Sequence, residues 1–131
     1  MAEGLLRVRF AARGRGTVTS AGLAALAGRP ADPLAVALLA ERGVDISAHR
    51  ARQLTPELVA GADLVIVMET AQQQAIERLS AASRGRVHRL GRFGGFDVED
   101  PYRRPRDAFE RALAQIERGL DDFDRAFWSA A

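Results

Sequence analysis

Apolar residues recur along this chain with two different periods, and the switches between them mark its elements. Toward the C-terminus Phe109, Ala112, Leu113, Ile116, Leu120, Phe123 and Phe127 return every three or four positions, which predicts a long helix with one buried stripe. Asp107, with Glu110 three residues on, is its expected cap. Residues 64–68, Leu-Val-Ile-Val-Met, are an unbroken apolar run of strand length between Asp63 and Glu69, the pattern of a parallel strand covered on both faces. Residues 87–90 predict a second parallel strand. Between the two runs, Thr70 and Gln73 have capping-box spacing for a helix reaching Leu79 or Ser80.

The first half is less regular. Residues 2–12 predict a short helix with Leu5, Leu6, Val8 and Phe10 partly on one face, ended by Gly14-Arg15-Gly16. Met1 gives that helix no capping side chain. Residues 17–19, Thr-Val-Thr, are a brief strand candidate leading into Ser20-Ala21-Gly22. Asp32-Pro33 opens a helix that Gly43 is positioned to close in a left-handed conformation, and Thr55-Pro56-Glu57 starts another that runs to about Ala60. Strands separated by helical segments of ten or more residues make right-handed crossovers, so the class is α/β, a small parallel sheet flanked by helices on both faces. No repeat, linker or low-complexity tract interrupts it, which predicts one domain over residues 1–131.

Composition narrows the chemistry. Apolar residues make up 47% of the chain, enough for a real core, and no run of about 18 apolar residues is present to cross a membrane. With no signal-peptide pattern either, the expectation is a soluble, cytoplasmic protein without membrane insertion. The absence of cysteine excludes disulfides, thiolate metal sites and cysteine nucleophiles within these residues. All 19 basic residues are arginine, a usage that together with abundant alanine reflects a GC-rich genome before it reflects a binding surface. Between Arg84 and Arg106, seven arginines face three acids, which suits an anionic ligand. No nucleic-acid-binding module is visible, no metal-ligand spacing links Glu69 to Asp97, Glu99 or Asp100, and no cofactor is implied.

Within that basic segment Asp97-Val98-Glu99-Asp100-Pro101-Tyr102 collects three carboxylates, a proline and an aromatic ring. Gly91, Gly94 and Gly95 before it and Pro105 after it put these residues on a loop. Pro101 favours an extended Asp100, which would hold that carboxyl in one direction, as a general acid requires. Taken alone, such a stretch is more often a solvated acidic turn, and a lone histidine such as His49 is more often structural than a ligand or base.

Ser20-Ala21-Gly22, Ser47-Ala48-His49-Arg50-Ala51-Arg52, the strand ending Met68-Glu69, and residues 97–102 occur in an order that resembles the low-molecular-weight protein tyrosine phosphatases, bacterial branch. The resemblance covers essentially the whole chain. It implies the phosphotyrosine phosphatase I-like fold, with hydrolysis of phosphotyrosine monoesters as the activity. The expected partners are phosphotyrosine proteins, a bacterial tyrosine kinase among them. On this resemblance Asp100 is the catalytic acid that protonates the leaving tyrosyl oxygen, Tyr102 flanks the substrate ring, and Ser20 and His49 brace the phosphate-binding loop.

The resemblance also implies that something is missing. The family's nucleophile lies in a Cys-x5-Arg loop after a first strand and directly before a helix that often reads Met-Ala-Glu-Gly-Leu-Leu, the residues at positions 1–6 here. The chain is therefore expected to lack that loop and the first, central strand of the sheet, and to be inactive as written. A non-catalytic binding protein on the same fold is the alternative, while arsenate reduction on this scaffold also needs cysteine. Loss of a central strand predicts either that residues 17–19 shift to pair with residues 64–68, or that the chain is poorly stable along an open edge.

Overall fold

The computed structural model describes residues 1–14 and 16–128; Arg15, expected in the turn after the first helix, lies outside them. Helix α1 spans Ala2–Ala12 and begins at Met1 without a capping side chain. Helix α2 spans Pro33–Ala40, where Asp32 Oδ1 accepts the Leu34 N–H at 2.9 Å. Gly43 follows at φ +73°, and the Val44 N–H returns to the Leu39 carbonyl, closing the helix as the glycine predicts. Helix α3, Pro56–Ala60, is capped by Thr55 Oγ1.

Strand β1, Val65–Val67, and strand β2, Val87–Arg89, pair in parallel with Val65 opposite Val87. Helix α4, Thr70–Leu79, makes the crossover between them. Side chains of β1 alternate between two cores, which is why the run is apolar at every position. Val65 and Val67 meet Val59, Ile76 and Val87 on the side of α3 and α4. Leu64, Ile66 and Met68 pack instead with Leu90, Ile116, Leu120 and Phe123, where α1 also contributes Leu5, Leu6 and Phe10. The long helix α5, Arg106–Phe123, supplies the stripe at this second face. It reaches α2 as well, through Phe109 and Leu113 against Leu38 and Leu39. Contact between α5 and the end of β2 depends on Gly119, where a Cβ would stand 2.5 Å from Leu90 Cγ.

Four expectations need correction. Residues 17–19 form no strand and do not move to β1: a strand needs a neighbouring backbone, and here the Val18 carbonyl is taken by the Arg7 guanidinium at 2.9 Å. In the β1–β2 register the Ile66 N–H and C=O point away from β2, and no described residue bonds them. The N-cap of α4 is Glu69, not Thr70, and Gln72 reaches back to the Glu69 N–H at 3.1 Å. Helix α5 starts after Pro105 with no side-chain cap, because Asp107 bonds Arg111 one turn on and the proline alone sets the entry. Phe127 leaves the buried stripe and is half exposed: α5 widens into a π turn at Asp124–Trp128, which shifts the phase and puts Trp128 inward.

Candidate active site

Three segments remote in sequence converge beyond the C-terminal end of β1. The loop after β2 returns to that strand, its Val98 N–H bonding the Met68 carbonyl at 2.9 Å, so the carboxylates that follow are delivered to the end of the sheet. The first turn of α1 meets them there. The third wall comes from residues 20–31 and 46–49, two stretches whose neighbourhood is zipped by backbone bonds: Gly22 N–H to the Arg52 carbonyl at 2.9 Å and Leu54 N–H to the Gly22 carbonyl at 2.8 Å. They enclose a cavity of about 270 Å³, whose floor includes Met68, Val98, Ala112 and Ile116.

Of the residues singled out in the sequence, Asp100, Ser20 and His49 all line this cavity. Asp100 Oδ1 accepts the Tyr102 N–H at 3.0 Å, a turn that fixes the carboxyl relative to Pro101. Tyr102 is 54% exposed and does not line the cavity. Its ring carries the Arg103 guanidinium at 5.2 Å, and Arg103 itself sits at φ +61° in a turn closed by Arg104 N–H to the Pro101 carbonyl at 2.9 Å. An arginine held in the left-handed region costs about 1–2 kcal/mol, so this turn is over-determined by its surroundings.

Three residues escape a reading of the sequence. Glu3 lines the cavity and joins it to two cations, with Oε2 3.0 Å from His49 Nδ1 and Oε1 3.0 Å from Arg7. Its i, i+4 spacing to Arg7 was the only signal available. Gln72, also on the wall, accepts the Met68 and Glu69 N–H groups through Oε1 at 2.9 and 3.1 Å. Asp97 looks like one of the loop's acids but faces the N-terminus of α4: it accepts the Thr70 N–H at 3.0 Å, the Thr70 hydroxyl at 3.2 Å and Arg89 at 2.8 Å. The Thr70 N–H first, and then Arg89, hold the Asp97 carboxyl below the ordinary carboxylate range. Asp97 thus ties the acid loop to both α4 and β2.

The electrostatics of the cavity are one-sided. Among the described side chains Glu3, Glu69, Glu99 and Asp100 line it and no arginine does, while the Met1 α-amino group, whose proton affinity is lowered by burial and raised by Glu3, and the His49 imidazole stand beside them. Carboxylates so placed can donate or accept a proton, and they disfavour a phosphate dianion wherever no cation stands between them and it.

The family model for low molecular weight phosphotyrosine protein phosphatase matches residues 1–127. The probable low molecular weight protein-tyrosine-phosphatase EpsP of Ralstonia nicotianae is 50% identical over 121 residues, 92% of this chain and 81% of that protein. The low molecular weight protein-tyrosine-phosphatase Wzb of Escherichia coli K12 is 33% identical over 110 residues, covering 83% and 75%. Among solved structures, Vibrio vulnificus Wzb in complex with benzylphosphonate superposes with a TM-score of 0.88 at 32% identity, over 96% of this chain and 88% of that one.

Proposed function

Since the chain belongs to the low molecular weight phosphotyrosine protein phosphatase family, we propose that it carries the acid half of that family's reaction, with phosphotyrosine side chains as the substrate class. Asp100 is the general acid: as the P–O bond breaks, its proton passes to the bridging phenolic oxygen, and tyrosine leaves neutral. Ser20 and His49 are positioning groups on the opposite wall, with His49 held by Glu3. Tyr102 forms the outer rim against which the substrate ring rests. The observation that carries this reading is the convergence of Asp100, Ser20 and His49 on one cavity from three separate segments.

The phosphoryl group must also be accepted by a nucleophile, and the 131 residues contain no cysteine. A positioned acid supplies about 10²- to 10⁴-fold, far short of the up to ~10²¹ that phosphate-monoester hydrolysis demands. The 131-residue chain is therefore inactive by itself. The absence of a nucleophile also suits a second reading, a non-catalytic binding or regulatory protein on the same fold.

Turnover of p-nitrophenyl phosphate separates these outcomes. The 131-residue chain should give none above a mock purification. Expression with any in-frame codons that precede Met1 should restore it if they encode the nucleophile, and Asp100→Asn should then lower kcat by about 10²- to 10⁴-fold. Ordinary phosphatase rates from the 131 residues alone would overturn the proposal.

A further inference from the structure

Away from the cavity, the loop of residues 91–96 and the π turn after α5 gather aromatic rings into one surface patch. Phe93 stands edge-on to Phe123 at 5.3 Å and lies 5.9 Å from Phe127, which is 5.6 Å from Phe123 and 6.4 Å from the His88 ring. Phe123 is fully buried beneath, whereas Phe93 and Phe127 are 46% and 50% exposed side by side. Val8, Leu23, Leu26 and Leu79, the exposed large aliphatic side chains among the described residues, lie in other segments, whereas Phe93 and Phe127 are exposed in ring contact with each other.

Two arginines frame the rings. Arg92 lies 5.3 Å over Phe93 and Arg118 5.0 Å over Phe96. Eight of the described arginines are in ion pairs; Arg92 and Arg118 are among the described ones that have no carboxylate partner, and they are the two set over the rings of this loop. Arg92 instead donates to His88 Nδ1 at 2.9 Å. Burial and then the Arg92 charge hold the His88 imidazole below its ordinary range, so it accepts as a neutral ring.

We propose that this patch docks an acidic polypeptide segment of a partner protein, which lays an apolar side chain across Phe93 and Phe127 and sets carboxylates against Arg92 and Arg118. Aromatic side chains in a well-packed centre with arginine around them are the composition of an interface hot spot. A carboxylate reaching these guanidinium groups breaks no existing ion pair, and a lysine-rich segment would meet two unneutralised cations. Asp121 and Asp122 at the end of α5 and Asp124 after it are each taken by an arginine, Arg9, Arg125 and Arg13, so Arg92 and Arg118 are the cations left without a carboxylate beside the rings, a pair of isolated charges that suits a short acidic segment with an apolar side chain. None of Phe93, Phe127, Arg92 and Arg118 lines the cavity, so the docking surface is separate from Asp100 and goes beyond the reading of that site.

The test is fluorescence anisotropy with a labelled peptide that places phenylalanine between pairs of glutamates, titrated with the 131-residue chain. Saturable binding is expected, weakened at least about tenfold in about 0.5 M salt and by the same factor in Phe127→Ala and in Arg118→Glu. Both positions are exposed, and an unchanged melting curve shows that each variant is folded. An Arg92→Glu, Arg118→Glu double variant should instead prefer the peptide with lysines in place of its glutamates. Absence of saturable binding, equal affinity in the Phe127 and Arg118 variants, or tighter binding of an oligothymidylate would overturn the proposal. The readout is binding, so its failure leaves the reading of the cavity untouched.

Discussion

The half of the molecule from α3 to α5 and the half between α1 and α3 are built on different principles. In the former, β1, α4, β2 and α5 close on one another through two apolar cores, and the backbone of β1 is bonded to β2 along its length. In the latter, residues 16–32 and 45–55 hold each other by isolated backbone bridges and side-chain bonds, while α1 and α2 with Ile46 and Leu54 carry the contacts to the cores. The cavity lies on the seam between them, as does the unbonded edge at Ile66. A rigid half thus presents the acid loop, and a half held by polar contacts supplies the facing wall.

Truncating the core of the rigid half should have the largest effect. Phe123→Ala empties the position where Phe93, Phe127 and Trp128 meet and is expected to cost about 3–5 kcal/mol in denaturant unfolding, enough to abolish folding of a marginal chain. A loss under about 1 kcal/mol would mean that the aromatic cluster is not packed as described.

Asp97→Asn probes the tie between the acid loop and the rigid half. The folded-state pKa of Asp97 is depressed, so its stabilisation is present above the unfolded value of about 3.9 and is lost as pH falls through the lower folded value. Screening at this partly exposed carboxylate keeps the effect near about 0.5–1 kcal/mol at neutral pH. Thermal melts should show the gap between variant and parent narrowing as pH falls below the ordinary carboxylate range; a gap that stays constant or widens there would exclude the charge as the cause.

The smallest effect belongs to the polar half. Gln53 accepts the Ala25 N–H at 3.0 Å and donates to the Leu23 carbonyl at 2.7 Å, and Gln53→Ala should cost only about 1 kcal/mol globally. Amide hydrogen exchange should nevertheless accelerate at Gly22 and Gly28, whose N–H groups bond the 51–52 backbone, while Val65 is unchanged. In the same experiment the Ile66 amide of the parent chain should exchange faster than its ladder-bonded neighbour Val65. Equal protection of the two would show that the edge is paired after all.

Much of the rigid half was legible because its signals are local. The apolar run at residues 64–68 states burial on both faces, Asp32-Pro33 and Thr55-Pro56 state helix starts, and the three-and-four spacing to Phe123 states one long amphipathic helix. Asp100, Ser20 and His49 were singled out through the family resemblance, and their meeting in one cavity rests on contacts across the chain. Where the sequence misled, a distant partner outbid a local preference. Residues 17–19 have the β-branched composition of a strand but no neighbouring backbone, and Thr70 has the identity of a cap while its hydroxyl bonds Asp97. Phe127 follows the helical period on paper and departs from it once the π turn shifts the phase.

By itself, then, the sequence determined the element types, the two-faced burial of β1, the family, and the lack of a thiol nucleophile. Only the tertiary structure decided that Glu3 holds His49, that Asp97 faces a helix terminus and not the cavity, and that four carboxylates and no arginine side chain among the described residues line its wall. The physical reason is range. Periodicity, caps and turns are set by residues a few positions apart, whereas the charge around a cavity is the sum of side chains brought together from separate segments by the packing of the cores.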